Sequence, residues 1–109
     1  MEFDRTLARI RALVRRRRYR LSLHAERERD ADRIQMSELE EALSSDALEL
    51  LEDYPEDPRG HSHLVLGFTR ANRPIHAVCA VHDGVLVIVT VYRPDPKLWQ
   101  DYRIRKEKT

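Results

Sequence analysis

An Asp-Gly dipeptide between two Val-rich segments is the feature that most constrains how this chain folds. Residues 74–82 and 85–92 are rich in Val and Ile, and only Asp83-Gly84 lies between them. A type I′ turn needs positive φ at both central residues, and Asp-Gly is among the dipeptides that meet this requirement best. The pattern therefore predicts a β-hairpin with a two-residue turn.

The turn also fixes which residues of the hairpin face each other. Paired residue numbers should sum to 167, so that Val78 faces Val89 and His76 faces Val91 on one side of the sheet. Because side chains alternate along a strand, Tyr92 then lies on the opposite side from His76. Both sides of the hairpin are largely apolar, which predicts a central position with helices over at least one face.

Helical periodicity is strongest in the N-terminal half. The first helix, predicted over residues 2–17, carries an apolar stripe of helical spacing: Phe3, Leu7, Ile10 and Val14. Ser22 is placed to cap a second helix over residues 23–33, because a serine oxygen accepts a hydrogen bond from a free N–H at a helix start. Ser37 opens a third helix in the same way, with a Glu three residues later as in a capping box.

The remaining segments predict strands and loops. Residues 47–53 alternate in polarity and suit either an extension of the third helix or a strand, and the alternation favours the strand. Residues 19–21 indicate a short extended link, 54–60 a loop with two prolines and a glycine, and 62–69 a further strand. The sequence therefore predicts an α+β fold, with N-terminal helices packed on a three- to four-stranded antiparallel sheet.

Length and composition indicate a single domain over residues 1–109. A chain of this length supports one hydrophobic core, and its one cysteine, Cys79, suits a reducing compartment. Met1 is followed by charged residues rather than an apolar segment, and the longest apolar run, residues 85–89, is too short for a membrane span. We therefore expect a cytoplasmic protein without membrane contact.

The net charge of +1 conceals a segregation of charge along the chain. Residues 1–20 balance to +6, residues 21–60 to −9 and residues 61–109 to +4. Basic segments suit RNA or an acidic protein partner, whereas the acidic middle argues against nucleic acid covering the whole surface. The arginines of the first helix equally suit a solvated face, so both alternatives stay open.

No motif predicts a metal or an organic cofactor. His61-x-His63 places two imidazoles on one face of a strand, but zinc sites usually show tighter ligand patterns, so no metal is expected. The chain has three glycines and no glycine-rich phosphate loop. Cys79 lies among apolar neighbours in a predicted strand, where a thiol is normally inert.

His24 and Arg27 are the residues whose spacing suits chemistry. They lie three residues apart and so share one helix face. An imidazole exchanges a proton near neutral pH and a guanidinium holds phosphate, a pairing suited to phosphodiester cleavage. The alternative is a surface histidine beside an arginine that pairs with nearby acids, and spacing alone favours it. Tyr92 and Arg93 can likewise be explained without a site, by aromatic packing of Tyr92 and a solvated side chain at Arg93.

Four motifs, in this order, resemble domain-of-unknown-function family 4258. They are S-L-H-A-E-R-E-R-D-A-D-R-I from residue 22, S-E-L-E-E-A-L from residue 37, R-P-I-H-A-V from residue 73 and I-V-T-V-Y-R-P-D from residue 88, followed by Trp99. The resemblance covers about residues 19–99, between an Arg-rich segment, 1–18, and a basic tail, 100–109. The chain departs from the family pattern at Glu28, where the family usually has Met.

That family is distantly similar to the RelE-like toxin and ribonuclease superfamily, whose members place N-terminal helices on a four-stranded antiparallel sheet. The resemblance implies metal-independent RNA cleavage, in which the ribose 2′-OH attacks the adjacent phosphate and the leaving 5′-oxygen is protonated. The implied catalytic residues are His24, as general acid or base, with Arg27 and Tyr92. The implied substrate-binding residues are Arg33, His76, Thr90 and Arg93.

Two hypotheses follow for the function. The first is a RelE-like ribonuclease of toxin type, neutralised by an antitoxin-like protein, with His24 near Tyr92 and Arg27 beside it. The alternative is a non-enzymatic protein- or RNA-binding module of the same fold, whose polar signature residues brace the sheet. The predicted register weakens the first hypothesis, because it separates His76 from Thr90 and Tyr92.

Overall fold

The computed structural model of the protein describes residues 2–107. Its helices are α1 (Glu2–Arg15), α2 (Leu23–Ala31) and α3 (Met36–Ser44). The main sheet contains β1 (Tyr19–Leu21), β2 (Glu49–Tyr54), β3 (Ser62–Phe68), β4 (Pro74–His82) and β5 (Val85–Tyr92), and β6 (Trp99–Gln100) pairs separately with β7 (Ile104–Arg105). The α+β class is confirmed, as is the strand predicted over residues 47–53. No helix in the described part of the chain is long and apolar enough to cross a membrane.

The sheet has five strands and is mixed, so the prediction of three to four antiparallel strands is wrong. Its order is β1-β5-β4-β3-β2, and β1 runs parallel to β5. The link predicted at residues 19–21 is therefore an edge strand. Leu86 N–H donates to Arg18 O at 3.0 Å before it, and Ser22 N–H donates to Ile88 O at 2.9 Å after it. Three residues are too few to show a strand period in sequence.

The β4–β5 hairpin forms around the predicted turn. Asp83 and Gly84 have φ values of 51° and 73°, both positive as a type I′ turn requires. The predicted register is confirmed for the four pairs next to the turn, beginning with His82 opposite Val85.

A β-bulge in β5 shifts the rest of the hairpin by one residue, and here the predicted register is wrong. Val78 pairs with Thr90 instead of Val89, and His76 pairs with Tyr92. A bulge inserts one unpaired residue into a strand, so side-chain parity changes beyond it. His76, Thr90 and Tyr92 therefore share one face of the sheet, contrary to the predicted separation.

The main core lies between the three helices and one face of the sheet. The bulge turns Val91 towards this face, where its side chain is fully buried. Every layer contributes large buried side chains, including Ile10 and Val14 of α1, Leu39 and Leu43 of α3, and Ile75 and Ile88 of the sheet.

Local polar contacts set where α2 and α3 begin. Ser22 caps α2 as predicted, because its Oγ accepts a hydrogen bond from Ala25 N–H at 3.0 Å. The cap of α3 is Gln35 rather than the predicted Ser37. Glu38 explains this earlier start, since its carboxylate accepts a hydrogen bond from the Gln35 N–H at 3.1 Å.

The C-terminal segment, residues 94–107, covers part of the sheet face opposite the helices. Two carboxylates of β2 hold it: Glu49 accepts hydrogen bonds from Arg103 at 2.9 and 2.7 Å, and Glu52 accepts them from Arg105 at 2.9 and 3.1 Å. The predicted basic tail is thus partly neutralised at the β2 edge, and its last two residues lie outside the described range.

Gly67 of β3 sets how closely α3 approaches the sheet. A Cβ at Gly67 would lie 2.3 Å from the carbonyl oxygen of Ala42 in α3. Gly67→Ala should therefore displace α3 and lower the free energy of unfolding by roughly 3 kcal/mol or more, the upper range for overpacking. Gly60→Ala is the matched control, because a Cβ there meets no atom within 4 Å. Its φ of 114° should itself cost roughly 1–3 kcal/mol, so Gly67→Ala should be the less stable of the two variants. Equal stabilities of the two variants in chemical denaturation would contradict the close contact.

Candidate functional site

The residues predicted to form one site lie in three separate places. His24 and Arg27 are exposed on α2, whereas His76 and Tyr92 are paired beneath the C-terminal segment. Arg93 follows β5 and contacts the link between α2 and α3. Within residues 2–107, no hydrogen bond or ion pair joins His24 or Arg27 to Tyr92.

His76 is the centre of a polar cluster that we call the His76 clasp: His76, Tyr92, Trp99 and the backbone carbonyl of Tyr102. His76 Nε2 lies 2.6 Å from the Tyr102 carbonyl oxygen, which can only accept, so Nε2 carries the proton. Nδ1 then accepts a hydrogen bond from the Tyr92 hydroxyl at 3.2 Å. Trp99 packs edge-to-face on the imidazole, with ring centroids 4.5 Å apart. The clasp therefore fastens the C-terminal segment to the sheet.

Burial gives the clasp groups pKa values unsuited to proton transfer near neutrality. Burial lowers the pKa of His76, whose imidazole therefore stays neutral at pH 7. It also raises the pKa of Tyr92 to about 12. Thr90 lies on the same face, half-buried and opposite Val78. Along this part of β4 and β5, His76 and Tyr92 form one hydrogen-bonded chain with the Tyr102 carbonyl of the C-terminal segment.

Arg93 braces the link between α2 and α3. Its Nε donates to the carbonyl of Asp32 and its Nη2 to the carbonyl of Arg33, each at 3.0 Å. The same Nη2 lies 3.1 Å from the Glu38 carboxylate. Arg33 has a φ of 53° at this link, and its side chain is exposed. Arg93 thus contacts Arg33 through the backbone. Two of its guanidinium nitrogens are bonded to this region, whereas Nη1 is buried without a hydrogen-bond partner within residues 2–107.

His24 and Arg27 have different surroundings although they share a helix face. The His24 side chain is 67% exposed, and its Nε2 lies 3.2 Å from Glu28 Oε1. That oxygen also accepts a hydrogen bond from Val91 N–H at 3.1 Å, next to the bulge. Arg27 is exposed and has no ion-pair partner within residues 2–107. Arg27 is therefore exposed, as the surface alternative predicted. Within the described residues, it does not form the ion pair with a nearby acid that this alternative also predicted.

His24 lines a groove on the part of the sheet face that the C-terminal segment leaves open. We call it the sheet groove; its volume is about 450 Å³. Aliphatic side chains of the hairpin lie along it, namely Ala80, Val87 and Val89. Four basic side chains from four parts of the chain also line it: Arg20 of β1, His24 of α2, Arg59 of the β2–β3 loop and His82 at the end of β4.

The rim of the sheet groove carries two guanidinium groups, Arg20 and Arg59, and one carboxylate, Asp57. Arg20 is exposed and has no ion-pair partner in the part of the chain that the structure describes. Arg59 lies 3.0 Å from Asp57, and its hydrogen bond holds the pKa of that carboxyl well below its usual range. His82 Nε2 lies 3.3 Å from the exposed Asp83 carboxylate. Arg20 is thus the rim cation that remains uncompensated.

The sequence pattern identifies His24 as a candidate but does not show that Arg20, Arg59 and His82 are its neighbours. Strand pairing alone brings them together, because β1 lies beside β5 at one edge and the β2–β3 loop reaches the same face. The local signal for Arg20 was the position of a charged residue between the apolar Tyr19 and Leu21. No sequence pattern showed that β1 is a strand.

One cluster within residues 2–107 offers three metal-ligand atoms, from Asp53, His61 and His63. These donor atoms all lie within 4.8 Å of one another. None of the three residues lines the sheet groove. The cluster is therefore separate from the basic rim.

The central part of the chain matches a known protein family. The sequence profile of the family described as "Domain of unknown function (DUF4258)" matches residues 21–93. This span includes α2, α3, the β4–β5 hairpin and most of the sheet groove, but not Arg20. No curated protein and no solved structure matches the chain.

The His76 clasp should make stability fall in mild acid. The unfolded chain protonates His76 near the ordinary imidazole pKa of about 6.5, whereas burial lowers the pKa in the folded chain. Protons then favour unfolding, so the free energy of unfolding should decrease as pH falls below about 6.5. Urea denaturation between pH 8 and 5 should show a smaller decrease for His76→Gln than for the wild type. His82→Gln, which removes an exposed imidazole, should keep the wild-type pH dependence, and identical curves for all three proteins would contradict the prediction.

Proposed function

The chain belongs to the family described as a domain of unknown function, DUF4258, a description that gives no activity. We propose, from the properties of the sheet groove, that the protein binds single-stranded RNA. The observation that carries this proposal is an aliphatic lining in one groove with two guanidinium groups at its rim, of which Arg20 has no acidic partner within residues 2–107. Bases need a dehydrated surface and phosphates need cations, so the groove offers both parts of a nucleotide a matching environment.

The size and surroundings of the groove support a nucleotide-sized ligand. A volume of about 450 Å³ is within the usual range for small-ligand sites, about 300–1,000 Å³. His24 and His82 provide flat rings on which bases can stack. Arg20 and Arg59 provide guanidinium groups, which bind phosphate with two parallel hydrogen bonds.

Further arginines extend the basic surface beyond the groove. Arg18 Nε donates to the Gly84 carbonyl at 3.3 Å, which places this side chain at the hairpin turn. Exposed Arg16 and Arg17 precede it in the chain. Arg103 and Arg105 are instead paired at the β2 edge, so the proposed RNA path follows the β1 edge.

Substitution of Arg20 tests the binding proposal. Arg20→Ala should weaken binding of a fluorescent single-stranded oligoribonucleotide for every sequence, because phosphate contacts carry little sequence information. It should also reduce the slope of log K against log salt by about 0.7 for one lost contact. The assay is fluorescence anisotropy at several salt concentrations.

Arg70→Ala is the matched control for Arg20→Ala, since Arg70 is an exposed arginine at the β3–β4 connection, away from the groove. Its affinity should equal that of the wild type. Equal losses in the two variants would place RNA outside the groove. Binding that does not depend on salt, or no binding at low salt, would favour an acidic protein partner.

A second candidate function is RNA cleavage by a RelE-like ribonuclease of toxin type. The observation that favours it is the presence of two imidazoles, His24 and His82, in one groove with two guanidinium groups. One imidazole would take the proton of the ribose 2′-OH as that oxygen attacks phosphorus, and the other would protonate the leaving 5′-oxygen. Arg20 or Arg59 would stabilise the charge on the phosphate. An antitoxin-like protein that covers the groove would then act in the cytoplasm as its inhibitor.

Cleavage is tested with a quenched fluorescent oligoribonucleotide and its 2′-deoxy analogue. Wild-type protein should cleave only the first, and His24→Ala should abolish cleavage with little effect on the thermal melt because His24 is exposed. Arg27→Ala is the control, since Arg27 does not line the groove. Cleavage lost in Arg27→Ala would favour the site implied by the sequence, and no cleavage by the wild type leaves RNA binding as the function.

A further inference from the structure

Asp53, His61 and His63 converge on one point at the end of the β2–β3 pair. Asp53 of β2 lies directly opposite His63 of β3, and His61 immediately precedes β3. One oxygen, Asp53 Oδ1, lies 2.6 Å from His61 Nε2 and 2.8 Å from His63 Nδ1. The two imidazole rings are tilted, with centroids 4.5 Å apart. Two imidazole nitrogens thus lie within 2.8 Å of one carboxylate oxygen.

We propose that these three side chains form a binding site for a divalent transition-metal ion of the Zn²⁺ type. Imidazole nitrogen and carboxylate oxygen are ligands that Zn²⁺ uses, with metal–ligand distances of about 2.0–2.2 Å. Tetrahedral ligands at that distance lie about 3.4 Å from one another. The observed nitrogen–oxygen separations reach this value with small side-chain rotations. The site is independent of the sheet groove and does not rest on its proposed function.

The surroundings of the cluster hold its donor atoms in place. The His63 side chain is 12% exposed and the Asp53 side chain 28%, so both have limited freedom. An ion pair alone requires one imidazole beside one carboxylate. The second imidazole on the same oxygen is the feature that a metal site explains.

An adjoining cavity provides room for a fourth ligand. It has a volume of about 230 Å³ and is lined by both imidazoles together with Phe3, Thr6 and Arg9 of α1 and Val81 of β4. Three protein ligands and an open position are typical of zinc sites that bind water or a substrate. Arg9 places a guanidinium in the same cavity, so an anionic fourth ligand would be favoured over a cationic one.

The sequence did not predict this site because the third ligand, Asp53, is distant in sequence from the two histidines. His61-x-His63 was visible, but Asp53 belongs to a different strand and precedes a loop of seven residues. The pairing of Asp53 with His63 across β2 and β3 supplies the carboxylate. The expectation of no metal was based on the spacing of ligands along the sequence. That spacing does not show which residues meet across paired strands.

The test is Zn²⁺ binding by the full, tag-free chain, measured by isothermal titration calorimetry after treatment with a chelator. The wild type should bind one Zn²⁺ per chain, and Zn²⁺ should raise its melting temperature because only the folded chain holds the ligands together. Mg²⁺ should not compete, since it prefers oxygen ligands. His61→Ala should weaken Zn²⁺ binding by at least about tenfold, the effect of losing even a supporting group.

His61→Ala is the principal variant because His61 is the most exposed member, with 46% of its side chain accessible, and circular dichroism will verify its fold. Asp53→Asn is the second variant and should also weaken binding. His82→Ala removes a histidine of the sheet groove and should bind Zn²⁺ as the wild type does. The site is supported if Zn²⁺ binding is weakened in both cluster variants and unchanged in His82→Ala. Absence of stoichiometric binding, equal binding by the cluster variants, or equal binding of Mg²⁺ would overturn it.

Discussion

The one unpaired residue in β5 determines how the two faces of the sheet are used. Val89 is inserted between Ile88 and Thr90, and this insertion turns Val91 into the helical core and Tyr92 towards His76. The same residue connects the sheet to α2, because Ser22 Oγ donates to the Val89 carbonyl at 2.8 Å. A hairpin with uninterrupted alternation would bring Val91 to the opposite face and remove Tyr92 from the clasp.

The His76 clasp and the sheet groove divide the face opposite the helices. The half of β4 that contains His76 is closed by Trp99 and the C-terminal segment, and the half that contains Ala80 and His82 remains open as the groove. The polar groups of the clasp are buried and have hydrogen-bond partners, so they stabilise the fold and are not free to contact a ligand. Function is therefore assigned to the open half, where side chains from distant parts of the chain meet.

Features that depend on a few adjacent residues could be predicted from the sequence. The Asp83-Gly84 turn, the Ser22 cap and the strand limits of β3, β4 and β5 each depend on a few adjacent residues. The bulge could not be predicted, since a run of Val, Ile and Thr is compatible with either parity. The parallel pairing of β1 and the meeting of Arg20 with Arg59 depend on contacts between residues distant in sequence. His24 was therefore identified without its true neighbours.

The assignment of RNA binding to the sheet groove is tested most directly by mapping where RNA contacts the protein. A ¹⁵N-labelled sample titrated with a short single-stranded oligoribonucleotide at low salt reports each backbone amide separately. RNA bound in the sheet groove should shift the amides of Arg20, of residues 87–89 and of the β2–β3 loop at residues 57–60, and leave the amides of the His76 clasp unchanged. Changes confined to the α1 arginines, or centred on the His76 clasp, would contradict the assignment of RNA binding to the sheet groove.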